Sequence, residues 1–392
     1  MKMIVVIIIL IIIMIILAEI LGNLIVFMNK DKFNSEKISG GAEAFDQHAY
    51  YDQHAHYDQS EGFIGEDRKT PTPYEEYMRT KYFKEFFMNC YNPKYKRTAI
   101  QMWIFEQINT KPAKISDVYI RDPTKARYIL ERTIHDQKYI NQIMEEANKY
   151  VQKINKLPID NSNEKVKLIK NDSGYILKYR DDRIKIPKWL FKKLNCENPE
   201  LLYVLMRRYT TFIKMTSSGM QLAIEPELYD VLRKDYDVTL EGFGSPINHF
   251  LDKFGSIFYD IDKHFGSVGS FFATEYINEN ATVNPPYQEE IIENSFDKIQ
   301  KSLEKNPNLV IFWTVPVWED AIGLMKANES EFLIKRYLLD TNFKMFMSYT
   351  IDSEKPTKVC PCGNYIYVFS GKIVDLSKLE DYLIKRGIPV LY

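Results

Sequence analysis

The four residues Asn284-Pro285-Pro286-Tyr287 can hold a planar heterocycle that carries an exocyclic amino group. The side-chain oxygen of Asn284 and the carbonyl oxygen of Pro285 can each accept one hydrogen from such an amine, which makes its nitrogen more nucleophilic. Because proline fixes φ and has no N–H, the turn is rigid and its carbonyl groups stay free. The ring of Tyr287 offers a base a face to stack on. Catalysis by this turn would rest on positioning and electrostatics, without a strong general base.

Such a turn at the end of a strand is typical of methyltransferases that modify an exocyclic amine. Here it follows the short segment 270–283 and precedes a helical pattern at 288–303. Four residues in a chain of 392 are a weak signal alone, because Pro-Pro turns are common and PPxY-like strings also serve as peptide ligands. The neighbouring motifs must therefore decide between the two interpretations.

Further motifs surround the turn in a fixed order. They are Glu241-Gly-Phe243-Gly-Ser245-Pro246-Ile-Asn248, then Asp260-Ile-Asp262, Phe265-Gly266-Ser267-Val-Gly269, and a strand-like run from Leu309 to Trp318. With the turn, this set resembles the cap-specific adenosine N6-methyltransferase family, also called the phosphorylated-CTD-interacting-factor family. The resemblance runs from about Leu201 to Phe369, which is less than half of the chain.

The resemblance implies an α/β fold: a Rossmann-like class I methyltransferase domain preceded by a mainly helical domain. It implies that S-adenosylmethionine is the methyl donor and that N6 of adenosine in RNA is the target, in this family the first transcribed adenosine of capped mRNA. It assigns catalysis to Asn284, Pro285, Pro286 and Tyr287. It assigns cofactor binding to Glu241, Phe243, Ser245, Pro246, Asp262, Phe265, Gly266 and Ser267. Asp260 and Asp262 could bind ribose hydroxyls, although the residues alone suit a solvated loop equally well.

The chain departs from the family pattern in its turn, in its tryptophans and in the segment 241–246, which has Gly242 and Gly244 where the family has other small residues. The turn ends in Tyr287 where the family usually has Phe, and both rings can stack on a base. The founding member begins with a WW domain, and the four tryptophans here show no such paired pattern. We therefore expect no WW domain and no binding to polymerase tails. We expect Trp318 near the substrate and Trp313 in the core.

The residues read by themselves also predict a nucleotide-binding unit around position 240. Val238 to Leu240 is a short β-branched run that leads into a Gly/Ser/Pro turn. The apolar spacing of Ile247, Phe250, Leu251 and Phe254 predicts a helix after it. A strand–turn–helix unit with a glycine-containing loop lets a cofactor approach the backbone.

The net charge of -1 conceals an uneven distribution. Residues 71–240 contain 31 Lys and Arg against 22 Asp and Glu, whereas residues 241–392 contain 15 against 21. A basic helical domain suits RNA because phosphate neutralisation dominates affinity. Arg207 and Arg208 follow an apolar run and are candidates for phosphate contact, although a solvated helix end is an equally ordinary explanation. Trp318 is the third candidate for contact with RNA.

The cysteines predict neither a disulfide framework nor a metal site. Cys360-Pro-Cys362 is too short and too isolated for structural zinc, which usually has four ligands. The segment 46–59 repeats Asp-Gln-His with interleaved tyrosines, and a disordered spacer is a more ordinary explanation for it than a metal tract.

The amino terminus predicts a membrane anchor. Met3 to Ala18 is uninterruptedly apolar, and apolar character resumes after Glu19 up to Met28. This length can cross a bilayer, and no cleavage site is evident, so we expect an uncleaved single-pass anchor. Lys30, Lys32 and Lys37 place the catalytic body in the cytoplasm by the positive-inside rule. An anchored RNA-modifying enzyme would suit a virus or another cytoplasmic replication site.

These patterns divide the chain into four parts: an anchor at 3–28, a low-complexity linker at 29–73, a mainly helical RNA-binding domain at 74–235 and the methyltransferase domain at 236–392. Two other functions stay open. The chain could methylate adenine in DNA or uncapped RNA, or it could be a membrane-anchored RNA-binding protein that has the fold without the activity.

Overall fold

A computed structural model describes residues 69–91, 99–104, 119–120, 122–216 and 221–390. All of them belong to a compact unit that runs from Gly62 to Tyr392. The predicted anchor at 3–28 and nearly all of the predicted linker lie outside the described residues. Within the described part, no helix is both long and apolar enough to cross a bilayer. The membrane anchor therefore stays a prediction from the sequence.

The first described elements are helices, as the periodicity predicts. Helix α1 (Pro73–Asn89) begins with a capping box, in which the hydroxyl of Thr72 accepts the backbone N–H of Glu75 and the Glu75 carboxylate accepts that of Thr72. Helices α2 (Arg127–Thr133) and α3 (Gln137–Asn155) follow. Aromatic rings fill this core: Phe83 stacks on Tyr119 at 4.1 Å between centroids and meets Tyr150 edge-on at 6.0 Å.

A three-stranded antiparallel sheet comes next. It consists of β1 (Lys167–Asn171), β2 (Gly174–Tyr179) and β3 (Asp182–Pro187), in that order. A tight turn at Asp172-Ser173 joins the first two strands. Gly174 has a φ of +152°, and a Cβ there would lie 2.3 Å from the carbonyl oxygen of Ile186, so no other residue fits.

Two helices follow this sheet, within the segment predicted to be mainly helical. Helix α4 (Lys188–Leu194) ends at Asn195, which adopts the left-handed conformation with a φ of 44°. Asparagine is one of the few residues that tolerate this conformation, and it commonly ends helices. Helix α5 (Pro199–Thr216) then begins at a proline, which suits a first helical turn.

The rest of the chain contains both strands and helices. The strands are β4 (Leu222–Ile224), β5 (Leu240–Glu241), β6 (Lys253–Gly255), β7 (Ser267–Gly269), β8 (Ala281–Val283), β9 (Ile311–Pro316), β10 (Leu333–Leu339), β11 (Phe346–Ser348), β12 (Thr357–Val359) and β13 (Asn364–Phe369). The helices are α6 (Pro226–Tyr236), α7 (Tyr259–Asp262), α8 (Glu289–Lys305), α9 (Ile322–Asn328) and α10 (Ser377–Lys385). The expected α/β fold is confirmed.

Seven of these strands form one sheet in the order β10-β13-β9-β8-β5-β6-β7. Strands β5 to β9 are mutually parallel, and β13 runs antiparallel to both of its neighbours. A smaller antiparallel sheet has the order β12-β11-β4. The chain leaves β5 first towards β7 and later towards β9, so the strand order reverses between β5 and β8. In open α/β sheets, ligands bind beyond the carboxyl ends of strands at such a point.

The helix predicted from Ile247 to Phe254 does not form. This segment is a turn followed by β6, and Phe254 belongs to that strand. The carboxylate of Glu241 accepts the backbone N–H groups of Phe250 at 2.7 Å and Leu251 at 3.4 Å, which folds the connection back onto the end of β5. The apolar spacing was a misleading signal, because these side chains are buried by tertiary contacts along an irregular loop.

Helix α8 covers the strands that precede and follow it. Its residues Ile292, Phe296 and Ile299 are buried against the sheet. Trp313 on β9 is fully buried, as predicted, and its Nε1 donates to the hydroxyl of Ser295 at 3.0 Å. This packing fixes α8 against β9, next to the strand β8 that precedes the Asn-Pro-Pro-Tyr turn.

Candidate active site at the carboxyl ends of β5 and β8

The Asn-Pro-Pro-Tyr turn begins directly after β8, at the point where the strand order reverses. The side-chain oxygen of Asn284 is buried and has no hydrogen-bond partner among the described residues. A buried oxygen without a donor costs free energy, and such a group in a native protein indicates a ligand or a functional role. The backbone N–H of Gln288 closes the turn by donating to the carbonyl oxygen of Pro286 at 2.7 Å. The carbonyl of Pro285 accepts no hydrogen bond within the part of the chain that the structure describes.

The ring of Tyr287 is fixed from two sides. Its hydroxyl donates to the side-chain oxygen of Asn364, and its ring meets that of Trp318 edge-on at 6.3 Å. Asn364, the first residue of β13, is fully buried and donates to the carbonyl oxygen of Cys362 at 2.7 Å. Burial raises the pKa of the Tyr287 phenol, so the hydroxyl stays protonated. Sequence reasoning missed Asn364, because it lies 77 residues from Tyr287 and has no motif of its own.

Trp318 lies just after β9 and is about one-third exposed. Its backbone N–H donates to the carbonyl oxygen of Pro316 at 2.9 Å. The structure therefore brings the predicted RNA contact Trp318 next to the predicted stacking residue Tyr287. Both rings follow neighbouring strands of the sheet.

Glu241 ends β5 and is buried. One carboxylate oxygen accepts the hydroxyl of Tyr229 at 2.7 Å, and the other accepts the amides of the following loop. Burial raises the pKa of this carboxyl to about 7. The carboxylate is thus engaged inside the protein, so in this structure Glu241 shapes the loop above β5.

The loop after β5 is closed by Ser245. Its hydroxyl lies 2.6 Å from Oε1 of Gln221 and 2.7 Å from Oδ1 of Asn248. Pro246 beside it is buried. The residues predicted to bind the cofactor at this loop, Ser245 and Pro246, therefore fix its conformation in this structure.

Glycines allow a close approach of backbones under the same loop. A Cβ on Gly255 would lie 2.1 Å from the carbonyl oxygen of Gly242. The amide of Gly244 donates to the carbonyl of Gly255 at 2.7 Å. The loop and the end of β6 can therefore meet only because residue 255 has no side chain.

Three phenylalanine rings gather beyond the ends of β5 and β7. Phe243 lies 4.8 Å from Phe271 and 5.7 Å from Phe272 between ring centroids. Beneath them, the amine of Lys298 donates to the carbonyl of Phe271 and, at 2.7 Å, to that of Thr274. Burial lowers the pKa of this lysine to about 7. Sequence reasoning missed Lys298, because a lysine in an amphipathic helix normally faces solvent.

The residues predicted from the Phe-Gly-Ser motif lie together around β7. The hydroxyl of Ser267 is 2.7 Å from that of Ser256, and both are buried. Gly266 has a φ of +101°, and a Cβ there would lie 2.4 Å from the carbonyl oxygen of Asp252. Phe265 packs against the main core.

Asp262 is the last residue of α7 and is fully buried. Its Oδ2 accepts the hydroxyl of Tyr209 at 2.7 Å, which joins α7 to α5, and its Oδ1 has no hydrogen-bond partner among the described residues. Burial raises the pKa of its carboxyl to about 7. The binding of ribose hydroxyls by Asp262 stays a prediction from the sequence. Asp260 is engaged by Arg208.

The two arginines of α5 are engaged by acidic residues. Arg208 is fully buried and forms ion pairs with Glu76 at 2.6 Å and with Asp260 at 2.6 Å. Arg207 is nearly buried and pairs with Asp182 at 2.8 Å. Their contact with RNA phosphates stays a prediction from the sequence.

Comparison with known proteins finds matches to part of the chain. A family model described as "Phosphorylated CTD interacting factor 1 WW domain" matches residues 191–349. A human protein named mRNA (2'-O-methyladenosine-N(6)-)-methyltransferase is 24% identical over 182 residues, which cover 42% of this chain and 26% of the relative. The mouse protein of the same name is 23% identical over 189 residues, covering 43% of this chain and 26% of the relative. The chain thus spans about a quarter of the length of these relatives.

The family match corrects one expectation. We expected no WW domain from the tryptophan pattern, but the matching model is described as one. The matched residues run from α4 to just beyond β11 and include β5, β8 and the Asn-Pro-Pro-Tyr turn. The expectation that the chain does not bind polymerase tails rested on that absence and is no longer supported.

Proposed function

We propose that this chain is an S-adenosylmethionine-dependent methyltransferase that modifies N6 of adenosine in RNA, and that the cap-adjacent adenosine of mRNA is its preferred target. The observation that carries this proposal is the buried, unpartnered oxygen of Asn284 at the reversal point of the sheet. The human and mouse relatives are named for the same reaction, which supports the proposal.

The site suits an adenine base. The oxygens of Asn284 and Pro285 accept the two hydrogens of the exocyclic amine, which directs the nitrogen lone pair outward. Tyr287 stacks on the ring, and Trp318 limits the space beside it. Because the Tyr287 hydroxyl is already bound to Asn364, the ring keeps its orientation when the base enters.

The opposite side of the reversal point suits the methyl donor. S-adenosylmethionine supplies an electrophilic methyl group when bound. Phe243 follows β5, is partly buried and is held by Phe271 and Phe272. Ser245 and Glu241 keep the loop that carries Phe243 in place. These residues bind and orient the donor without donating or accepting a proton in the reaction.

The test is methyl transfer by the full chain from labelled S-adenosylmethionine to a short capped RNA that begins with adenosine. Asn284→Ala should lower the rate by about 10²-fold or more, because an acceptor aimed at the reacting amine is lost. Asn284→Asp, which retains an acceptor oxygen, should retain part of the activity. Asn308→Ala, an exposed asparagine, is the matched control and should not differ from the wild type.

The outcomes separate the competing functions. Transfer to capped RNA that is lost in Asn284→Ala establishes the reaction, and the uncapped RNA and a DNA of the same sequence define the substrate. Transfer only to DNA would overturn the RNA assignment. A chain that binds RNA but neither binds nor consumes S-adenosylmethionine would be a non-catalytic RNA-binding protein.

A further inference from the structure

The three-stranded sheet β1–β3 has one buried and one exposed face. Leu177, Tyr179, Ile184 and Ile186 are buried on the inner face, which packs against α4 and α5. The outer face carries Lys167, Ile169, Ile176, Lys178, Arg183 and Lys185. Alternation along each strand places these six residues together, because successive side chains point to opposite faces.

The register aligns three cations across the sheet. Lys167 pairs with Lys178, and Lys178 pairs with Arg183, so one row contains a cation on every strand. The next row contains Ile169, Ile176 and Lys185. Neighbouring strands are about 4.8 Å apart, so the first row places three positive charges within about 10 Å. Like charges directly opposite one another destabilise a sheet, and an anionic partner would relieve this repulsion.

Nothing within the described residues neutralises this outer face. None of its four cations forms an ion pair there, and no acidic residue belongs to it. Two acids beside the sheet pair with other cations: Asp160 with Arg180 at 2.8 Å, and Asp182 with Arg207 at 2.8 Å. The positive charge of the outer face is therefore available to a partner.

We propose that the outer face of β1–β3 binds the phosphate backbone of the RNA strand that enters the active site; this inference rests on the proposed function. Charge complementarity favours a polyanion. The face has no aromatic ring on which a base could stack, so its contacts are with phosphates and do not depend on sequence. Helix α5 connects it rigidly to the sheet of the active site, because α5 packs on β2 and β3 and its Tyr209 binds Asp262.

The test compares two triple variants of the full chain. Lys167→Gln/Lys178→Gln/Arg183→Gln removes the aligned row, and Lys301→Gln/Lys378→Gln/Lys385→Gln removes three exposed lysines from helices elsewhere. Binding to a labelled RNA of about 20 uridines, which offers phosphates but no adenine, is measured by fluorescence anisotropy between about 50 and 200 mM salt. The sheet variant should bind about tenfold more weakly at low salt, and its slope of log K against log salt should fall by about 2, since each lost phosphate contact removes about 0.7. The control triple should keep the wild-type slope.

The outcomes also distinguish this inference from the proposed function. If the wild type methylates RNA but the sheet variant binds RNA with an unchanged slope of log K against log salt, the outer face does not bind RNA. The proposed methyltransferase function is then unaffected. If the wild type binds RNA through this row but never methylates it, the proposed function is wrong, whereas the assignment of the outer face as an RNA-binding surface is supported. Vesicles of phosphatidylcholine with phosphatidylserine form a further arm. Loss of vesicle binding without loss of RNA binding in the sheet variant would overturn the RNA assignment in favour of a membrane surface.

Discussion

At the scale of the single residue, Tyr287 combines an aromatic face with a hydroxyl that is already bound. The partner is Asn364, which is itself fully buried and held by Cys362. The two functions of the side chain can therefore be separated by mutation: the ring serves the substrate, and the hydroxyl orients the ring.

We expect Tyr287→Phe to keep most of the methyl-transfer activity and to lose about 1–3 kcal/mol of folding stability, because the buried oxygen of Asn364 loses its donor. Tyr287→Ala should lower kcat/KM by about 10- to 100-fold, which corresponds to a lost stacking energy of about 1–3 kcal/mol. Steady-state kinetics and denaturant titrations of both variants measure these effects. A Phe variant as inactive as the Ala variant would contradict this separation and show that activity needs the hydroxyl as well as the ring.

At the scale of the element, helix α8 supports the segment 270–274 from below through Lys298. Its amine donates to two backbone carbonyls and to the hydroxyl of Thr274 at 2.8 Å. It also lies 4.6 Å from the centre of the Phe271 ring. The helix thereby fixes the rings that surround Phe243.

Lys298→Met should weaken the binding of S-adenosylmethionine by about tenfold, because segment 270–274 loses its anchor and Phe243 loses its support. Folding stability should fall by about 1–3 kcal/mol, since buried oxygens are left without a donor. Lys301→Met changes an exposed lysine one turn along α8 and is the matched control. Calorimetric titration with the cofactor gives the affinity. A destabilised variant with wild-type affinity would mean that the lysine supports the fold alone.

At the scale of the whole molecule, a buried cluster joins three distant parts of the chain. Arg208 on α5 binds Glu76 on α1 and Asp260 on α7, and none of the three is appreciably exposed. The cluster connects the first described helix to the segment between β6 and β7. Removing one member leaves the remaining charges buried and unpaired.

Arg208→Met should therefore cost about 3–5 kcal/mol of folding stability, because two carboxylates lose their cation in a dry environment. Lys326→Met removes a partly exposed partner of Glu293 and should cost less than about 1 kcal/mol. Denaturant unfolding of both variants provides the comparison. Equal losses for the two would contradict the argument from burial. The triple change Glu76→Gln/Arg208→Met/Asp260→Asn should recover part of the loss, because no charge is then left unpaired.

The local elements and the reactive turn could be predicted from sequence. The helices α1, α3 and α8, the turn around Ser173 and the strand before Trp318 each follow from a short pattern. The Asn-Pro-Pro-Tyr turn was recognised from four residue types, and the structure places it at the carboxyl end of β8. The helix expected from Ile247 to Phe254 was wrong, because the hydrogen bonds of Glu241 fold that segment into a loop.

The sequence by itself determined the residue types of the turn and the basic character of residues 71–240, because these are properties of neighbouring residues and of composition. The α/β class was expected from the resemblance to a known family. Only the tertiary structure decided which charged side chains are exposed and can bind a partner. It buried Arg208 against partners 132 and 52 residues away, and it aligned Lys167, Lys178 and Arg183 on an exposed face. The physical reason is that burial and strand register depend on contacts between distant segments. A local pattern of charge contains no information about those contacts.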